Sequence, residues 1–457
     1  MSHYQVCSYH DALTYLYSFT DFAKQPAQIY AAERYDLRRF EGLLEKLGNP
    51  HRRFQSVHIA GTKGKGSTAA MVAAVLTVAG FRTGLFTSPH LHTFCERMRV
   101  DWQMIARGEV VKLVNEIAPA VEATPNLTTF ELITALAFLS FARLAVDFAV
   151  VEVGLGGRLD ATNVIEPRVS AITSLSLDHT QVLGDTVAAI AGEKAGIVKP
   201  GVPVISAPQP PEAQAVIEAV CHKRHAPLVM VGRDWTWELC EATLDGQTFR
   251  VASDLAGTEE FCQQTYHLPL LGRHQLINAA LSIAALHALR SRGVTIPTKS
   301  ILQGLARVEW PARFEVLSHD PMLVVDGAHN SDSARRLCQT LTDYFPGRDV
   351  TLIFGVSADK DPQSMLRELL PVARHVIVMQ AKHPRAAPVD TLLPVVTALG
   401  RQAFVAADAD QALDIALDLS AAGDPICASG SLFVAGDVRL AWARRTGVGD
   451  ALMADNA

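Results

Sequence analysis

The stretch Val57-His-Ile-Ala-Gly-Thr-Lys-Gly-Lys-Gly-Ser-Thr68 restricts the possible folds of this chain more than any other. Its apolar run ends in a glycine-rich loop, and from Ser67 the loop opens into an Ala- and Val-rich segment that closes at Gly80. The order predicts strand, phosphate loop, helix. Gly61, Gly64 and Gly66 let backbone N–H groups converge on phosphate oxygens, and the free N–H groups of the next helix add positive potential. Lys65 then lies along the β- and γ-phosphates of a nucleotide, with a hydroxyl of Ser67 or Thr68 near Mg2+.

The loop is a variant. Ile59 stands where the common spacing G-x-x-x-x-G-K-[ST] has its first glycine, and Gly66 separates Lys65 from Ser67. A plain glycine-rich turn after a strand is the competing reading, although both flanks fit strand and helix.

At 457 residues the chain has room for two to three domains with full cores. Hydrophobic residues make up 49% and charged residues 19%, the balance of a globular chain. The net charge is −6, and Lys and Arg form no run beyond pairs such as Arg52-Arg53 and Arg335-Arg336, which argues against duplex nucleic acid as a partner. Cys7, Cys95, Cys221, Cys240, Cys262, Cys338 and Cys427 are dispersed with no C-x-x-C, as expected of thiols in a reducing compartment. The opening MSHYQVCSYHDA has neither a basic nor an apolar signal region, and the most apolar stretch, Leu132 to Phe141, is too short to span a bilayer. The expectation is a cytoplasmic protein without a membrane partner.

Along the chain, Asp36 to Leu47 has the period of a helix stopped by Gly48-Asn49-Pro50. Thr83 to Thr87 reads as a short strand that brings Ser88 to its end. Glu131 to Ala145 is a helix by length and period, and Asp147 to Val153 is a continuous apolar run typical of a central parallel strand. That places Glu152 at a carboxyl end, where open α/β sheets bind ligands. Val169 to Ser176 forms the next strand and delivers Asp178 and His179 to the same edge. The alternation continues with a helix over Thr186 to Ile197, a strand over Val202 to Ser206 and a helix over Ala213 to His225. Two β-rich pieces around Asp245-Gly246 predict a hairpin appended to the main sheet. Leu271 to Asn278 opens a long helix, and Glu309-Trp310-Pro311-Ala312 reads as a hinge. Beyond it, strands near Met322, Thr351, His375, Ala403 and Pro425 alternate with helices, and the tail after about Gly449 is expected to fray.

The fold class is therefore α/β, with domains at 1–308 and 313–457 joined by a hinge at 309–312. Lys65, Ser88, Glu152 and His179 each end a predicted strand or begin the loop after one. A hydroxyl, a carboxylate and an imidazole beside a phosphate loop suit Mg2+ that is also held by phosphate oxygens, and would tolerate Mn2+. Each residue also has a plainer explanation. Ser88 before a proline can simply start a turn, His179 can be a satisfied loop histidine, and Lys194 can be a solvated helix lysine. Glu152 is harder to explain away, because a carboxylate ending an apolar strand is costly unless paired or metal-bound.

The segments GTKGKGS, TSPHL, ERMRV, EVGLGGRLDATN, LDHTQVLG, GEKAGIVKPG, WPARFE and VVDGAHN occur in this order. Together they resemble the folylpolyglutamate synthase and dihydrofolate synthase family of the Mur ligase superfamily, over nearly the whole chain. The resemblance implies an N-terminal P-loop ATPase-like domain and a C-terminal Rossmann-like domain, with the site in the cleft between them. It implies an ATP-dependent amide ligase that joins L-glutamate to dihydropteroate or a reduced folate through an acyl phosphate. Carried over residue by residue, Gly64, Lys65, Gly66 and Ser67 match the ATP phosphate loop, Ser88 and Glu152 the ligands of one Mg2+, and His179 that of a second. Lys194 lies where the family carries a carbamylated lysine, and with Lys65 and His179 it is expected in catalysis. Asn278, Arg313, Asp326 and the neighbouring His329 match ATP-holding positions. Thr128, Thr129, Phe130 and Glu131, with Leu159, Asp160 and Ala161, match the pterin side, where Phe130 could stack and Asp160 accept hydrogen bonds. The plainer roles there are packing and capping.

The form RLDATN is similar to members using dihydropteroate, which favours a bifunctional enzyme. Lys63 departs from the Asn of many bacterial members. His383-Pro-Arg385 and Ser429-Gly-Ser431 match the glutamate side without assignable roles, and a monomer is expected. Three alternatives compete. A UDP-muramyl-peptide ligase needs a UDP-binding domain ahead of the loop strand, where about 50 residues stand. A P-loop switch or motor ATPase expects the common loop spacing and an Asp at the strand end. A non-catalytic nucleotide-binding scaffold has no use for Lys65, Glu152, His179 and Lys194 together.

Overall fold

A computed structural model describes residues 6–20 and 36–447, so the expectations for the first residues and the tail after Gly449 lie outside the described residues. The first sheet contains β1 (Gln55–Ala60), β2 (Thr83–Phe86), β3 (Met98–Val100), β4 (Gln103–Met104), β5 (Phe148–Glu152), β6 (Val169–Ile172), β7 (Val204–Ser206) and β8 (Leu228–Met230). Their order is β4-β3-β2-β5-β1-β6-β7-β8. β2, β5, β1, β6, β7 and β8 run parallel, and β3 and β4 turn antiparallel at one edge. Centrality follows from composition, since a strand covered on both faces must be apolar throughout. Every residue of β5 is buried, and so is every residue of β1 after Gln55.

One face of this sheet carries the helix Lys65–Val78, whose residues from Ser67 to Leu76 are all buried, because the helices Arg273–Ser291 and Thr298–Ala306 cover it in turn. Gly304 permits the closest approach: a Cβ there would lie 2.5 Å from Val75 Cα. The helix Thr129–Arg143 lies in the core of the other face and is buried almost all round. It begins with a capping box in which Thr128 accepts from the Glu131 backbone N–H and Glu131 accepts from that of Thr128.

The hairpin around Asp245 forms, but not on the main sheet. β9 (Thr236–Thr243) and β10 (Gly246–Ala252) join β11 (Tyr266–Leu268) in a separate three-stranded sheet. Phe249, Tyr266 and Leu268 bury this sheet against the Arg273–Ser291 side of the core, so its apolar face needs no pairing with β8. The strand expected to reach Ser176 stops at Ile172, where the chain turns into the loop that carries Asp178.

The third sheet has the order β12-β13-β17-β14-β15-β16, built from β12 (Glu315–His319), β13 (Met322–Val325), β14 (Val350–Phe354), β15 (Ala373–Met379), β16 (Ala403–Ala406) and β17 (Ile426–Ser429). It is parallel except for β12, an edge strand that the sequence pattern did not disclose. Between the sheets, Ala312 and Phe314 adopt left-handed backbone angles (φ 56 and 45). Carboxylates hold the turn: Glu315 Oε2 accepts from Ala312 N and Asp326 Oδ2 from Phe314 N, both at 2.8 Å. No described helix is long and apolar enough to cross a membrane.

Candidate active site

The helix Lys65–Val78 starts at Gly64, in a left-handed conformation (φ 92) and without a side-chain cap. Its first N–H groups therefore face the loop unclaimed, the arrangement that attracts phosphate. Gly64 is required twice over: the backbone angle disfavours a side chain, and a Cβ would lie 2.3 Å from Asn278 Oδ1. The inserted Gly66 has its own reason, because a Cβ there would meet the Trp310 indole at 3.1 Å, and Arg99 lies over the same indole at 5.5 Å. Trp310, noticed in the sequence only as part of a hinge, thus packs on the phosphate loop. Ser67 is buried beside Gln275, and the buried Thr68 hydroxyl has no hydrogen-bond partner among the described residues.

Lys65 Nζ lies 3.8 Å from Glu152 Oε1, joining the loop to the end of β5. Glu152 is 4% exposed and accepts from Ser88 N at 3.1 Å. Burial raises its pKa, with Lys65 and the Ser88 backbone opposing. The sheet thus brings Lys65, Ser88 and Glu152 together, because β1, β2 and β5 are adjacent and end at one edge. Lys194 ends the helix Val187–Lys194, is 5% exposed and makes no ion pair or hydrogen bond among the described residues. Burial, then the charge of Lys65, pushes its pKa down to about 7. His179 stands at the rim in a left-handed conformation (φ 51) with half its side chain exposed.

Asp178, beside it, is the junction of the cleft. Its Oδ2 receives Lys63 Nζ at 2.8 Å and Asn330 Nδ2 at 3.1 Å, and Lys360 Nζ lies 3.6 Å from Oδ1. Burial pushes the carboxyl up, but Lys63, His179 and Lys360 outweigh it and hold the group far below the usual carboxylate range. Lys63 also donates to His329 Nε2 at 3.1 Å, while His329 Nδ1 donates to Gly327 O at 2.9 Å, so the ring is neutral with its proton on Nδ1. Sequence reasoning gave Asp178, Lys63, Asn330 and Lys360 no role. Only the adjacency of Asp178 to His179 at a strand end signalled anything.

Other expected nucleotide residues are engaged with the protein. Asn278 is buried, donating to Gln275 Oε1 at 2.9 Å and packing against Gly64. Arg313 Nη1 donates to Ala312 O at 2.9 Å, and its charge acts on both Asp326 and Glu152. Asp326 gives its oxygens to Phe314 N and Ala328 N, each at 2.8 Å, which braces the turn after the inter-sheet crossing.

On the far side of Glu152, the tip of the Phe130 ring lies against Gly154, where a Cβ would be 2.4 Å from Cζ. Thr129 Oγ1 donates to Leu16 O and Phe19 O, and Glu131 pairs with Arg39 at 2.9 Å. Thr128, Thr129 and Glu131 thereby shape the wall that presents Phe130. Asp160, 5% exposed, accepts from Leu155 N and Thr162 N at 2.9 and 3.0 Å and folds the loop that holds Leu159 and Ala161. In the C-terminal half the His383 ring stacks on Phe433 at 3.6 Å, and Ser431 caps the helix Leu432–Thr446.

Among the described residues, no three or more His, Cys, Asp or Glu side chains converge as a metal cage. A metal at Ser88 and Glu152 would depend on phosphate oxygens for its remaining ligands. The buried Glu152 carboxylate, whose partners are Lys65 and the Ser88 backbone N–H, fits such an ion. The cleft as a whole suits an anion, with Lys63, Lys65, Lys194 and Lys360 facing Glu152 and Asp178.

Residues 59–286 match the Mur ligase middle domain, and residues 312–432 match the glutamate ligase domain of Mur ligases. The chain is 34% identical to a dihydrofolate synthase/folylpolyglutamate synthase of Bacillus subtilis, over 94% of this chain and 98% of that protein. A Mycobacterium tuberculosis folylpolyglutamate synthase solved with ADP and AMPPCP superposes with a TM-score of 0.81 at 34% identity, covering 89% of this chain and 95% of that one. Escherichia coli FolC in complex with DHPP and ADP gives 0.83 at 27% identity, covering 96% and 99%.

Proposed function

This chain belongs to the folylpolyglutamate synthase and dihydrofolate synthase family of Mur ligases, and from that premise we propose that it is an ATP-dependent ligase adding L-glutamate to dihydropteroate and to reduced folates. The observation that carries this reading is the uncapped phosphate loop with Lys65 beside Glu152, faced across one cleft by Lys194 and by the Asp178 cluster. The γ-phosphoryl of ATP passes to the substrate carboxylate, ADP leaves, and the acyl phosphate formed is attacked by the amino group of glutamate, which expels phosphate. Positioning and charge stabilisation supply most of the catalysis in such transfers.

Lys65 and the N–H groups from Gly64 to Ser67 hold the transferring phosphoryl. Arg313 reaches toward the phosphates from the other half, and Asp326 and His329 fix the turn that aims it. Asn278 sets the phosphate loop against its helix. Ser88 and Glu152 would hold one Mg2+, and His179 a second; bound there, the ions would offset phosphate charge. An ammonium beside two metals would repel them, whereas a carbamate on Lys194 would be an anion. A buried lysine with a pKa near 7 is partly neutral at neutral pH, the form that adds CO2.

The pterin would lie on Phe130 between the Thr128–Glu131 wall and the Leu159–Ala161 loop, with Asp160 shaping that loop. His383 and Arg385 lie near Phe433 on the side proposed for glutamate. Both halves of the site come from one chain, which supports a monomer.

The deciding experiment is ADP release by purified protein with ATP, Mg2+ and L-glutamate, with dihydropteroate in one vessel and tetrahydrofolate in another. Turnover with both is expected. Turnover with tetrahydrofolate alone makes it a polyglutamylase, and silence in both sinks the assignment.

A further inference from the structure

His58 lies on β1, three residues ahead of Gly61, and is fully buried. The alternation of a strand turns Val57 and Ile59 toward the helix Lys65–Val78 and turns His58 to the opposite face. A buried imidazole is costly unless hydrogen-bonded. Its Nε2 is 2.8 Å from Thr162 Oγ1, and Thr162 Oγ1 is 2.5 Å from Asp160 Oδ1. Thr162 is likewise fully buried, and among the described residues His58 Nδ1 has no hydrogen-bond partner.

These contacts fix the protons. Burial raises the Asp160 pKa, but the Leu155 and Thr162 N–H groups oppose it, and because each of its oxygens already accepts one of them Asp160 serves the Thr162 hydroxyl as an acceptor. The Thr162 hydroxyl therefore donates to Asp160, and its oxygen accepts from His58. The His58 proton must then sit on Nε2, leaving Nδ1 bare. Burial also pushes His58 down to about 3, which keeps the ring neutral.

We propose that His58 is a positioning residue for the acceptor substrate: through Thr162 and Asp160 it ties the 154–164 loop to the strand that carries the phosphate loop. The two ends of the tether are the two things the reaction must align, the phosphoryl donor and the pterin-bearing carboxylate. The proposal rests on the 154–164 loop being part of the pterin site, as proposed above. Asn163 and Lys199 anchor the same loop at its far end, with Asn163 Nδ2 donating to Gly196 O at 3.2 Å and Lys199 Nζ to Asn163 O at 2.7 Å. Loss of His58 should thus shift the loop without unfolding it.

Nitrogen-15 spectra of the full-length protein labelled at histidine test the proton arrangement, with the His58 signals assigned by their loss in His58→Gln. The expected result is a neutral ring protonated at Nε2 from about pH 5 to about pH 8. In Thr162→Val, which removes the acceptor at nearly constant volume, that tautomer should no longer be fixed. A His58 that titrates in this range, or carries its proton on Nδ1, overturns the proposal whatever the enzyme acts on. Kinetics test the consequence. Gln places an N–H donor near the position of Nε2 and Asn falls short of it. KM for the pterin substrate should rise about tenfold in His58→Asn and stay within about twofold in His58→Gln, with KM for ATP unchanged in both. Equal pterin KM in both variants, or a parallel rise for ATP, refutes the positioning role. A wild-type protein silent toward every pterin substrate would overturn the proposed function instead, and the spectra would still decide His58.

Discussion

The lysines of the cleft show how one residue type takes opposite parts. Lys65 sits at an uncapped helix start with a carboxylate 3.8 Å away, so its charge is held in place for a phosphate. Lys65→Ala should lower kcat by about a hundredfold to a thousandfold or more while the melting curve stays close to wild type. Near wild-type turnover with normal melting would remove Lys65 from the mechanism. Lys194 is buried with no ion pair or hydrogen bond among the described residues, and its folded pKa of about 7 lies below the ordinary 10.5. Below pH 7 both folded and unfolded chains carry the proton, and the folded protein bears the full cost of the buried charge. Between about 7 and 10.5 the unfolded chain binds more protons, so stability rises with pH. In CO2-free buffer, wild type should therefore gain in melting temperature over Lys194→Met as pH climbs through that window. A flat difference would show that Lys194 is neither buried nor cationic as described. Activity lost in Lys194→Ala and partly restored by short carboxylic acids would support the carbamate.

At the scale of elements, glycine positions decide how closely strands, loops and rings approach. The helix expected from Glu131 starts at Thr129, because Thr128 and Glu131 form its capping box, and this start fixes where Phe130 points. The ring tip then occupies the space that a side chain at Gly154 would need. Gly154→Ala should push the ring aside and raise KM for the pterin substrate by about tenfold or more, with little change for ATP. An unchanged pterin KM would separate Phe130 from the substrate. The hairpin shows the limits of local pattern: Asp245-Gly246 specified the turn, but nothing in the two strands said which sheet they would join. That choice was made by Phe249 and Tyr266, which stack on each other and bury against the helical side of the core.

At the scale of the molecule, the two halves meet through charged pairs and through apolar side chains such as Leu91, Leu244 and Leu271, which pack into the C-terminal core. Asp178 binds Lys63 from its own half and Asn330 and Lys360 from the other. Arg273 reaches Asp343 at 2.8 Å, and Arg439 links Glu315 to His92. Polar contacts of this kind can be exchanged for ligand contacts, which supports movement about 309–312 during turnover. Small-angle scattering should show a smaller radius of gyration with ATP and the pterin substrate together than with neither. Identical curves would sink the idea of hinge closure.

Much of this architecture was legible in order. Strand-helix alternation, the variant phosphate loop and Glu152 at the end of an apolar run all depend on near neighbours in the chain, where periodicity and turn chemistry act directly. The second α/β unit was visible for the same reason, while its antiparallel edge strand β12 was not. The family resemblance, and not spacing, singled out Lys194, Arg313 and Asp326. What only the tertiary structure decided is the company each residue keeps. Lys63 and Asp178 are 115 positions apart, Asn330 and Asp178 152, and Thr162 and His58 104. No local pattern encodes such pairs, because burial and charge compensation act between whatever side chains the packed sheets bring within a few ångströms. The sequence by itself determined that a phosphate loop would stand at the edge of a parallel sheet; the folded chain decided which lysine would be buried bare, which histidine would be neutral, and which carboxylate would join the two halves.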